Sequence, residues 1–236
     1  MIRKFEQPNC ASCGSRKHSV FCELHGQELA DLNDDKGCVF YKKGQIIFNS
    51  GQMPQGIYCV HEGKIKVYQV GDEGKEQIVR LAKGGDILGY RSLLGGGKYS
   101  STAETLDDSK ICFIPKNTFS KLLESNGTLS MLMMKLLSAD LKMAELKMTD
   151  LAQKPVRERV AEAILYLKQT YGLDDDNETI AISLSREDIA NIVGTATETT
   201  IRLLAEFKQE GIIRLDGKKI AILKPADLLK VANVTD

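Results

Sequence analysis

The stretch SREDIANIVGTATETTIRLLAEFKQEG, from Ser185 to Gly211, decides the fold of the C-terminal part of the chain. It predicts two short helices joined by a tight turn at Gly194, because glycine adopts the left-handed conformation that ends a helix at little cost. Ser185 with Asp188, and Thr195 with Glu198, have the spacing of helix-capping pairs. The side chains expected to lock the helices together are Ile189, Val193, Leu203, Leu204 and Phe207, with Ala190 at the crossing.

Such a helix pair is typical of a helix-turn-helix, whose second helix enters the major groove of DNA. Apolar runs on both sides of Asp216-Gly217 predict a β-hairpin directly afterwards, which would complete a winged helix. An ordinary helical hairpin in a protein core is the alternative for the helix pair alone. The side chains predicted to face DNA are Arg186, Thr197, Glu198, Ile201, Arg202 and Lys218.

The overall composition fits one or two globular domains and gives no general sign of a nucleic-acid partner. The 32 basic and 32 acidic residues cancel, so any phosphate contacts must be local. The N-terminus lacks the apolar region of a signal peptide, and no apolar run approaches membrane-spanning length. We therefore expect a cytoplasmic protein without a membrane partner, whose six cysteines form no disulfide framework.

Three of the cysteines lie close together near the N-terminus, as Cys10, Cys13 and Cys22. A C-x2-C pair followed by a third cysteine predicts thiolate ligands for zinc or for an iron–sulfur cluster. Three ligands leave one coordination position open. The candidates for the fourth ligand are His18 and His25 nearby, and Cys38, Cys59 and Cys112 farther along the chain. An oxidisable arm without metal is the alternative.

Between Leu29 and Pro115, short apolar runs alternate with glycine turns, which predicts an all-β sandwich or barrel. The glycines Gly95-Gly96-Gly97 predict a loop, but no GK[ST] sequence follows them, which excludes a phosphate-binding P-loop. After the acidic loop at 174–178, a short strand is expected from Thr179 to Ser183.

An uninterrupted helix is predicted from Leu129 to Ala152, followed after Pro155 by a second helix from Val156 to Tyr171. One stripe of the long helix has the 3.5-residue period of a helix that pairs with a copy of itself. This dimer seam consists of Met134, Leu137, Leu141, Ala144, Met148 and Leu151. A second stripe, expected to pack on the β domain, consists of Leu129, Leu132, Met133 and Leu136. A single buried core helix is the alternative.

The order of these parts resembles the CRP/FNR family of bacterial transcription regulators over essentially the whole chain. The most specific pieces are KKGQIIFNSGQMPQGIYCVHEGKIKVY, GGDILGY and TETTIRLLAEFKQEGII. The resemblance implies an α+β fold with a cysteine arm at 1–24, a cyclic-nucleotide-binding-like β-roll at 25–120, a dimerisation helix at 121–153 and a winged helix-turn-helix at 155–236. It also implies a homodimer that binds a pseudopalindromic site on double-stranded DNA and contacts RNA polymerase.

Within this family, the cyclic-AMP branch uses a Glu and an Arg-Ser pair where this chain has Tyr90 and Ser100-Ser101. The sequence therefore predicts no cyclic AMP binding in the usual mode. The FNR branch senses oxygen with a [4Fe–4S] cluster, and its pattern assigns Cys10, Cys13 and Cys112 as ligands. That pattern would place the third N-terminal ligand at Ser19. This chain has Cys22 three residues later, and we take Cys22 as that third ligand.

The resemblance also assigns Glu198 and Arg202 as base readers, which predicts a TTGA-like half-site containing a G·C pair. In the dimer seam, Ala144 stands where the FNR branch has an Asp, so dimerisation is expected to depend less on the cofactor.

The sequence thus predicts a transcription regulator controlled by an oxygen- or nitric-oxide-sensitive cluster. The alternatives keep the regulator but replace the sensor with zinc, a thiol switch, haem or a small molecule. With three histidines and no nucleophile–base motif or cofactor fingerprint, the chain is not predicted to be an enzyme.

Overall fold

The computed structural model describes residues 7–233. The chain divides into two compact units. The first contains the residues up to Gln69 together with Val79–Lys142, and the second contains Val70–Ile78 together with the residues from Met143 onward. Within the described residues, no helix is both long and apolar enough to cross a membrane.

The β-strands of the N-terminal part form two four-stranded sheets. One sheet contains β1 (Gly37–Tyr41), β3 (Gly56–Glu62), β6 (Ile87–Leu88) and β8 (Ser109–Pro115), in the order β1-β8-β3-β6. The other contains β2 (Ile46–Phe48), β4 (Lys64–Val70), β5 (Glu76–Lys83) and β7 (Thr102–Thr105), in the order β2-β7-β4-β5. The predicted two-sheet β architecture is confirmed, although β6 and β7 were not identified from the sequence.

Three helices belong to the same unit: α1 (Gly26–Asp35), α2 (Tyr90–Gly95) and α3 (Lys116–Ser125). The prediction of β structure throughout Leu29–Pro115 is therefore wrong at α1 and α2. In α1, Leu29 and Leu32 lie three residues apart and both contact the core, which is the period of a helix and not of a strand. The predicted glycine loop is partly helical, since α2 ends at Gly95.

Two apolar clusters stabilise this unit. The first, which we call the arm-side core, joins residues before α1 to the sheet and to the helices; its buried members include Phe21, Leu32, Ile114, Phe119 and Leu129. The second contains Phe48, Ile65, Tyr99, Ala103 and Ile111, among other residues of the two sheets.

The long helix α4 spans Gly127–Gln153, close to its predicted bounds. Its second stripe packs as expected, because Leu129 and Met133 are buried in the arm-side core and Leu136 lies against it. Most of the predicted dimer seam is exposed in the single chain: Leu141 is 61% and Met148 is 66% accessible. Leu137 is the exception, since it packs partly against the arm-side core.

The second unit contains α5 (Val156–Tyr171), α6 (Arg186–Val193), α7 (Thr197–Gln209), the hairpin β9 (Ile213–Asp216) and β10 (Lys219–Ile222), and α8 (Pro225–Ala232). The helix predicted after Pro155 has its predicted bounds. The strand predicted at Thr179–Ser183 is not present as a strand, because only two isolated bridges form there, Leu173 with Ile180 and Thr179 with Ala221. Helix α8 was missed by the sequence reading.

Candidate nucleic-acid interface and candidate metal centre

Helix α6 begins and ends as its sequence predicts. The Ser185 hydroxyl accepts from the Asp188 backbone N–H, and the Asp188 carboxylate accepts from the Ser185 backbone N–H, which forms a complete capping box. At the other end, Gly194 has φ +72°, and a Cβ added there would lie 2.9 Å from Leu151 Cδ2. Both facts favour glycine at this turn. The apolar side chains predicted to join α6 to α7 are all buried: Ile189, Val193, Leu203, Leu204 and Phe207, with Ala190.

The start of α7 differs from the prediction. The helix begins at Thr197, its N-cap is Ala196, and no side chain caps it, so the predicted Thr195–Glu198 capping box is wrong. The reason is that Thr195 still belongs to the turn, where its N–H bonds the Ala190 carbonyl. Glu198 nevertheless lies in the first turn, where a carboxylate interacts favourably with the helix dipole.

The face of α7 predicted to read DNA points away from the core. Glu198, Ile201 and Arg202 are exposed, with Ile201 51% accessible, whereas Thr197 is half-buried. A single exposed isoleucine is common on a protein surface and identifies no partner by itself, but all three exposed side chains are accessible to another molecule.

Arg202 belongs to a charged network on one side of α7. Its guanidinium donates to Glu206 Oε1 at 2.5 Å, and Arg157 of α5 donates to Glu206 Oε2 at 2.9 Å. Arg157 also binds both carboxylate oxygens of Glu210 and lies 4.7 Å from the centre of the Phe207 ring. These contacts orient the two helices of the network while the Arg202 side chain stays 64% exposed.

The predicted wing is present as the hairpin β9–β10, in which Asp216 pairs with Lys219 across a two-residue loop. Lys218 is exposed in this loop. Arg186, predicted to contact DNA, instead donates to the Gly217 carbonyl at 2.8 Å and ties the start of α6 to the wing. Burial lowers the pKa of its guanidinium.

Two wing cations are already engaged by the acidic loop that precedes α6. Arg214 lies 3.1 Å from Glu178, and Lys219 lies 3.1 Å from Asp174. The acidic loop therefore pairs with Arg214 and Lys219 of the wing. Lys218, which lies in the turn of the wing hairpin, is exposed and is not engaged by that loop in the described ion pairs.

The first unit brings cysteines distant in sequence to one cavity. Its lining contains Cys10, Cys13, Cys59 and Cys112, together with His61, Lys36 and Arg16. The Cys13 sulfur lies 3.2 Å from His61 Nδ1. Three of the four predicted ligands, Cys10, Cys13 and Cys112, thus share one cavity wall.

A single guanidinium, that of Arg16, holds the segment from Cys10 to Leu24 together, and Gln7 and Ser15 join the segment to the sheet through hydrogen bonds to Cys38 and His61. Arg16 donates to the carbonyls of Cys10, Phe21, Cys22 and Leu24 at 2.9–3.1 Å. Gly85 permits the close approach, because its φ is +97° and a Cβ there would lie 2.9 Å from the Ser15 carbonyl oxygen. The predicted cysteine arm is therefore, from Gln7 onward, a packed part of the unit.

The structure does not bring Cys22, the remaining predicted ligand, to this cavity. Phe21 and Leu24 are buried in the arm-side core, whereas Cys22 is half-buried, does not line the cavity and has its sulfur 3.8 Å from Glu23 Oε1. Cys59, which we considered above only as a more distant candidate for the fourth ligand, lies in the cavity lining instead. The predicted set of Cys10, Cys13, Cys22 and Cys112 is not assembled here.

Cys112 is joined to Cys38 by a disulfide bond. The two residues are partners in the β1–β8 register, which places their side chains on the same face of the sheet. The prediction that the six cysteines form no disulfide framework did not include this single pair, because sequence spacing does not reveal strand register.

Two of the cavity thiols, Cys10 and Cys59, have raised pKa values. Burial is the main cause for Cys59, with nearby Cys10 and Cys13 adding to it, and burial also raises the pKa of Cys10. Burial lowers the pKa of His61. A metal bound here would therefore have to displace protons from the thiols.

No three metal-binding side chains among residues 7–233 converge on a point where an ion would sit. The donor set nevertheless fits an iron–sulfur cluster or zinc by chemistry, since four cysteines from three segments share one wall. Lys36 and Arg16 would offset the negative charge of thiolates. As placed, the disulfide keeps Cys112 from acting as a thiolate.

A separate cavity contains the residues aligned with the cyclic-nucleotide site: Tyr90, Arg91, Ser100 and Ser101. Tyr99 stacks on Phe48 at 4.1 Å between ring centres within it. Arg91 lies in α2 and pairs with Asp140 of α4 at 3.0 Å. The Tyr90 hydroxyl also bonds Asp140, so this cluster ties the β-roll to the long helix.

Family models match both the β-roll and the winged helix-turn-helix of this chain. Residues 38–126 match the family model of the cyclic nucleotide-binding domain, and residues 158–231 match that of the Crp-like helix-turn-helix domain. The fumarate and nitrate reduction regulatory protein of Escherichia coli K12 is 31% identical over 100% of this chain and 96% of its own length. The fumarate nitrate reduction regulatory protein of Klebsiella oxytoca is 32% identical, over 97% of this chain and 93% of its own length.

A solved transcriptional regulator of the CRP/FNR family from Thermus thermophilus is 26% identical. The structural match covers 85% of this chain and 100% of the Thermus chain, with a TM-score of 0.70. The β-roll, long helix and winged helix-turn-helix define a DNA-binding transcription regulator. The chain belongs to the CRP/FNR family.

Proposed function

We propose that this regulator senses oxygen, nitric oxide or redox state through a cysteine-ligated [4Fe–4S] cluster in the first unit. The observation that carries the proposal is the gathering of Cys10, Cys13 and Cys112 in one cavity lining although they come from opposite ends of the unit's sequence. The name of the E. coli relative, a regulator of fumarate and nitrate reduction, is consistent with a signal linked to respiration.

A bound cluster would supply an oxidant-sensitive centre whose thiolate ligands come from both the arm and the sheet. The chain's own residues link that centre to the rest of the unit. Arg16 fixes the arm through the Cys10, Phe21, Cys22 and Leu24 carbonyls, and Phe21 packs on Phe119 with ring centres 6.3 Å apart. Loss of ligation would therefore loosen an arm that shares a core with Leu129 and Met133 of α4.

The DNA contacts proposed for the regulator lie on α7 and the wing. Glu198 would accept from a cytosine amino group, Arg202 would donate to guanine, and Ile201 would contact a thymine methyl. Lys218 and Arg186 would lie near phosphates. The exposed seam from Met134 to Leu151 supports a homodimer, whose two α7 helices would read half-sites about one helical turn apart. RNA polymerase is the expected partner on the promoter, in the cytoplasm.

The test compares DNA affinity before and after air exposure. The anaerobically purified full chain is titrated into a labelled pseudopalindrome of two TTGA-like half-sites, followed by fluorescence anisotropy. We expect air to weaken binding at least about tenfold, and Cys10→Ser to bind weakly under both conditions. Equal affinity of the wild type in both conditions would refute cluster-controlled binding.

A thiol switch is the second candidate function, favoured by the Cys38–Cys112 disulfide. It predicts that dithiothreitol changes the DNA affinity of metal-free protein, and that Cys38→Ser abolishes this change. A haem or small-molecule sensor has no comparable support among the described contacts.

A further inference from the structure

The position of Cys22 argues against its role as a ligand. Its backbone N–H bonds the Ser19 carbonyl and its own carbonyl accepts from Arg16, so the turn that carries it is fixed at both sides. Its neighbours Phe21 and Leu24 are 2% and 1% exposed and belong to the arm-side core, whereas Cys22 is only half-buried and is not a member of that core. Its sulfur lies 3.8 Å from Glu23 Oε1, and Cys22 is absent from the lining of the cavity that contains Cys10 and Cys13.

The strand register supplies a replacement. Cys112 of β8 is the partner of Cys38 on β1 and of Cys59 on β3, so three cysteines form one row across the sheet. Directly opposed residues of antiparallel strands project from the same face, with Cβ atoms about 4.5–5.5 Å apart. Of the two neighbours of Cys112, only Cys59 lines the cavity with Cys10 and Cys13.

We propose that Cys59, and not Cys22, is the fourth cluster ligand, together with Cys10, Cys13 and Cys112. This inference rests on the proposed iron–sulfur function and specifies its ligand set. The arm then contributes two thiolates, and the adjacent strands β3 and β8 contribute one each. The nearby His61 is a less suitable donor, since iron–sulfur clusters are held mainly by thiolates.

Cys38 has a defined part in this arrangement, as the alternative partner of Cys112. Ligation by Cys112 requires reduction of the disulfide: a dithiol reductant gives two electrons and two protons, becomes a disulfide itself, and leaves Cys38 and Cys112 as thiols. Cys112 and Cys59 then each lose a proton on binding iron.

The test uses the full chain, reduced with dithiothreitol under argon and incubated with ferrous iron and sulfide. Iron and sulfide per chain and the visible absorbance are measured for the wild type and for Cys22→Ser, Cys38→Ser, Cys59→Ser and Cys59→Ala. We expect the Cys22 and Cys38 variants to match the wild type, and both Cys59 variants to retain less than about a quarter of its iron. Circular dichroism shows whether each variant is folded.

A second measurement does not depend on any substitution. N-ethylmaleimide is added to reduced apo wild type and to loaded wild type, and the labelled cysteines are mapped by mass spectrometry. We expect Cys22 to react equally in both forms, and Cys10 and Cys13 to be protected in the loaded form.

The outcomes separate the inference from the function on which it rests. A wild type that binds no iron refutes the cluster itself. A loaded wild type that loses its iron on Cys22→Ser, or protects Cys22 from the reagent, overturns the ligand assignment while the cluster stands. Retention of iron by folded Cys59→Ser and Cys59→Ala overturns it as well.

Discussion

Replacing Arg202 with alanine separates DNA reading from folding. In the free chain, Arg202 is 64% exposed and its one described ion pair is with Glu206, four residues along the same helix. Exposed pairs with this spacing contribute about 0.3–0.5 kcal/mol. Glu206 keeps its second partner, Arg157, at 2.9 Å after the substitution. The free energy of unfolding should therefore change by less than about 0.5 kcal/mol.

The effect on DNA binding should be larger and confined to one base pair. A bidentate contact from arginine to guanine is worth about 1–3 kcal/mol of discrimination. Because about 1.4 kcal/mol corresponds to a tenfold change in affinity, Arg202→Ala should weaken binding by about 5- to 150-fold for each half-site that loses the contact. Duplexes that already lack the guanine should bind wild type and variant almost equally.

The assay is fluorescence anisotropy with a panel of duplexes, each differing from the best site at one symmetric base pair. Lys208→Ala is the matched control, since Lys208 is an exposed cation near the end of the same helix and is expected to meet phosphate. It should weaken all sequences alike and reduce the salt dependence. If Arg202→Ala also weakens every duplex by the same factor, the assignment of Arg202 as a base reader is wrong.

Three further predictions concern the scaffold. Ser185→Ala should destabilise the fold by about 1 kcal/mol through loss of the α6 cap. Thr195→Ala should destabilise it by less than about 0.5 kcal/mol, because the Thr195 side chain caps no helix. Equal losses of unfolding free energy in urea would contradict this prediction. Leu141→Asp should convert the dimer to a monomer, as measured by light scattering, since each leucine buried in the interface contributes roughly 1.5–3 kcal/mol. The control variant Lys142→Asp should remain dimeric. A Leu141 variant that remains dimeric would place the interface elsewhere. Hydrogen bonds from a threonine hydroxyl and two backbone N–H groups lower the pKa of Asp176 to about 2. The ionised Asp176 carboxylate therefore stabilises the folded state above about pH 4, and this stabilisation is lost as pH falls towards 2. Asp176→Asn should make the free energy of unfolding less dependent on pH in that range, and an unchanged pH dependence would refute the stabilising role of Asp176.

The helix-turn-helix could be predicted in detail because its signals are local. A cap at Ser185, a glycine at 194 and apolar residues at helical spacing each act within a few residues, and all three appear in the structure. The error was at the start of α7, where Thr195 had the right residue type for a cap but the helix begins two residues after it. Helix ends are the least certain part of such predictions, since one residue changes which side chain can reach the free N–H groups.

The cysteine site could be predicted only in part because it depends on tertiary structure. Spacing identified Cys10 and Cys13 as a pair, and the family resemblance added Cys112. The row of Cys38, Cys112 and Cys59 comes from the register of three strands that are not neighbours in sequence. The absence of Cys22 from the cavity lining depends on which neighbours enter the core. Neither is visible in spacing alone, although alternation along β3 would have placed Cys59 and His61 on one face.

The most direct test of the account is the iron and acid-labile sulfide content of the full chain purified without oxygen, together with its visible spectrum. A [4Fe–4S] regulator should contain about four irons and four sulfides per chain, with a brown absorbance that air bleaches. Stoichiometric zinc, or no metal with Cys38 and Cys112 still joined after anaerobic purification, would contradict the cluster and leave a regulator whose signal is read by its thiols.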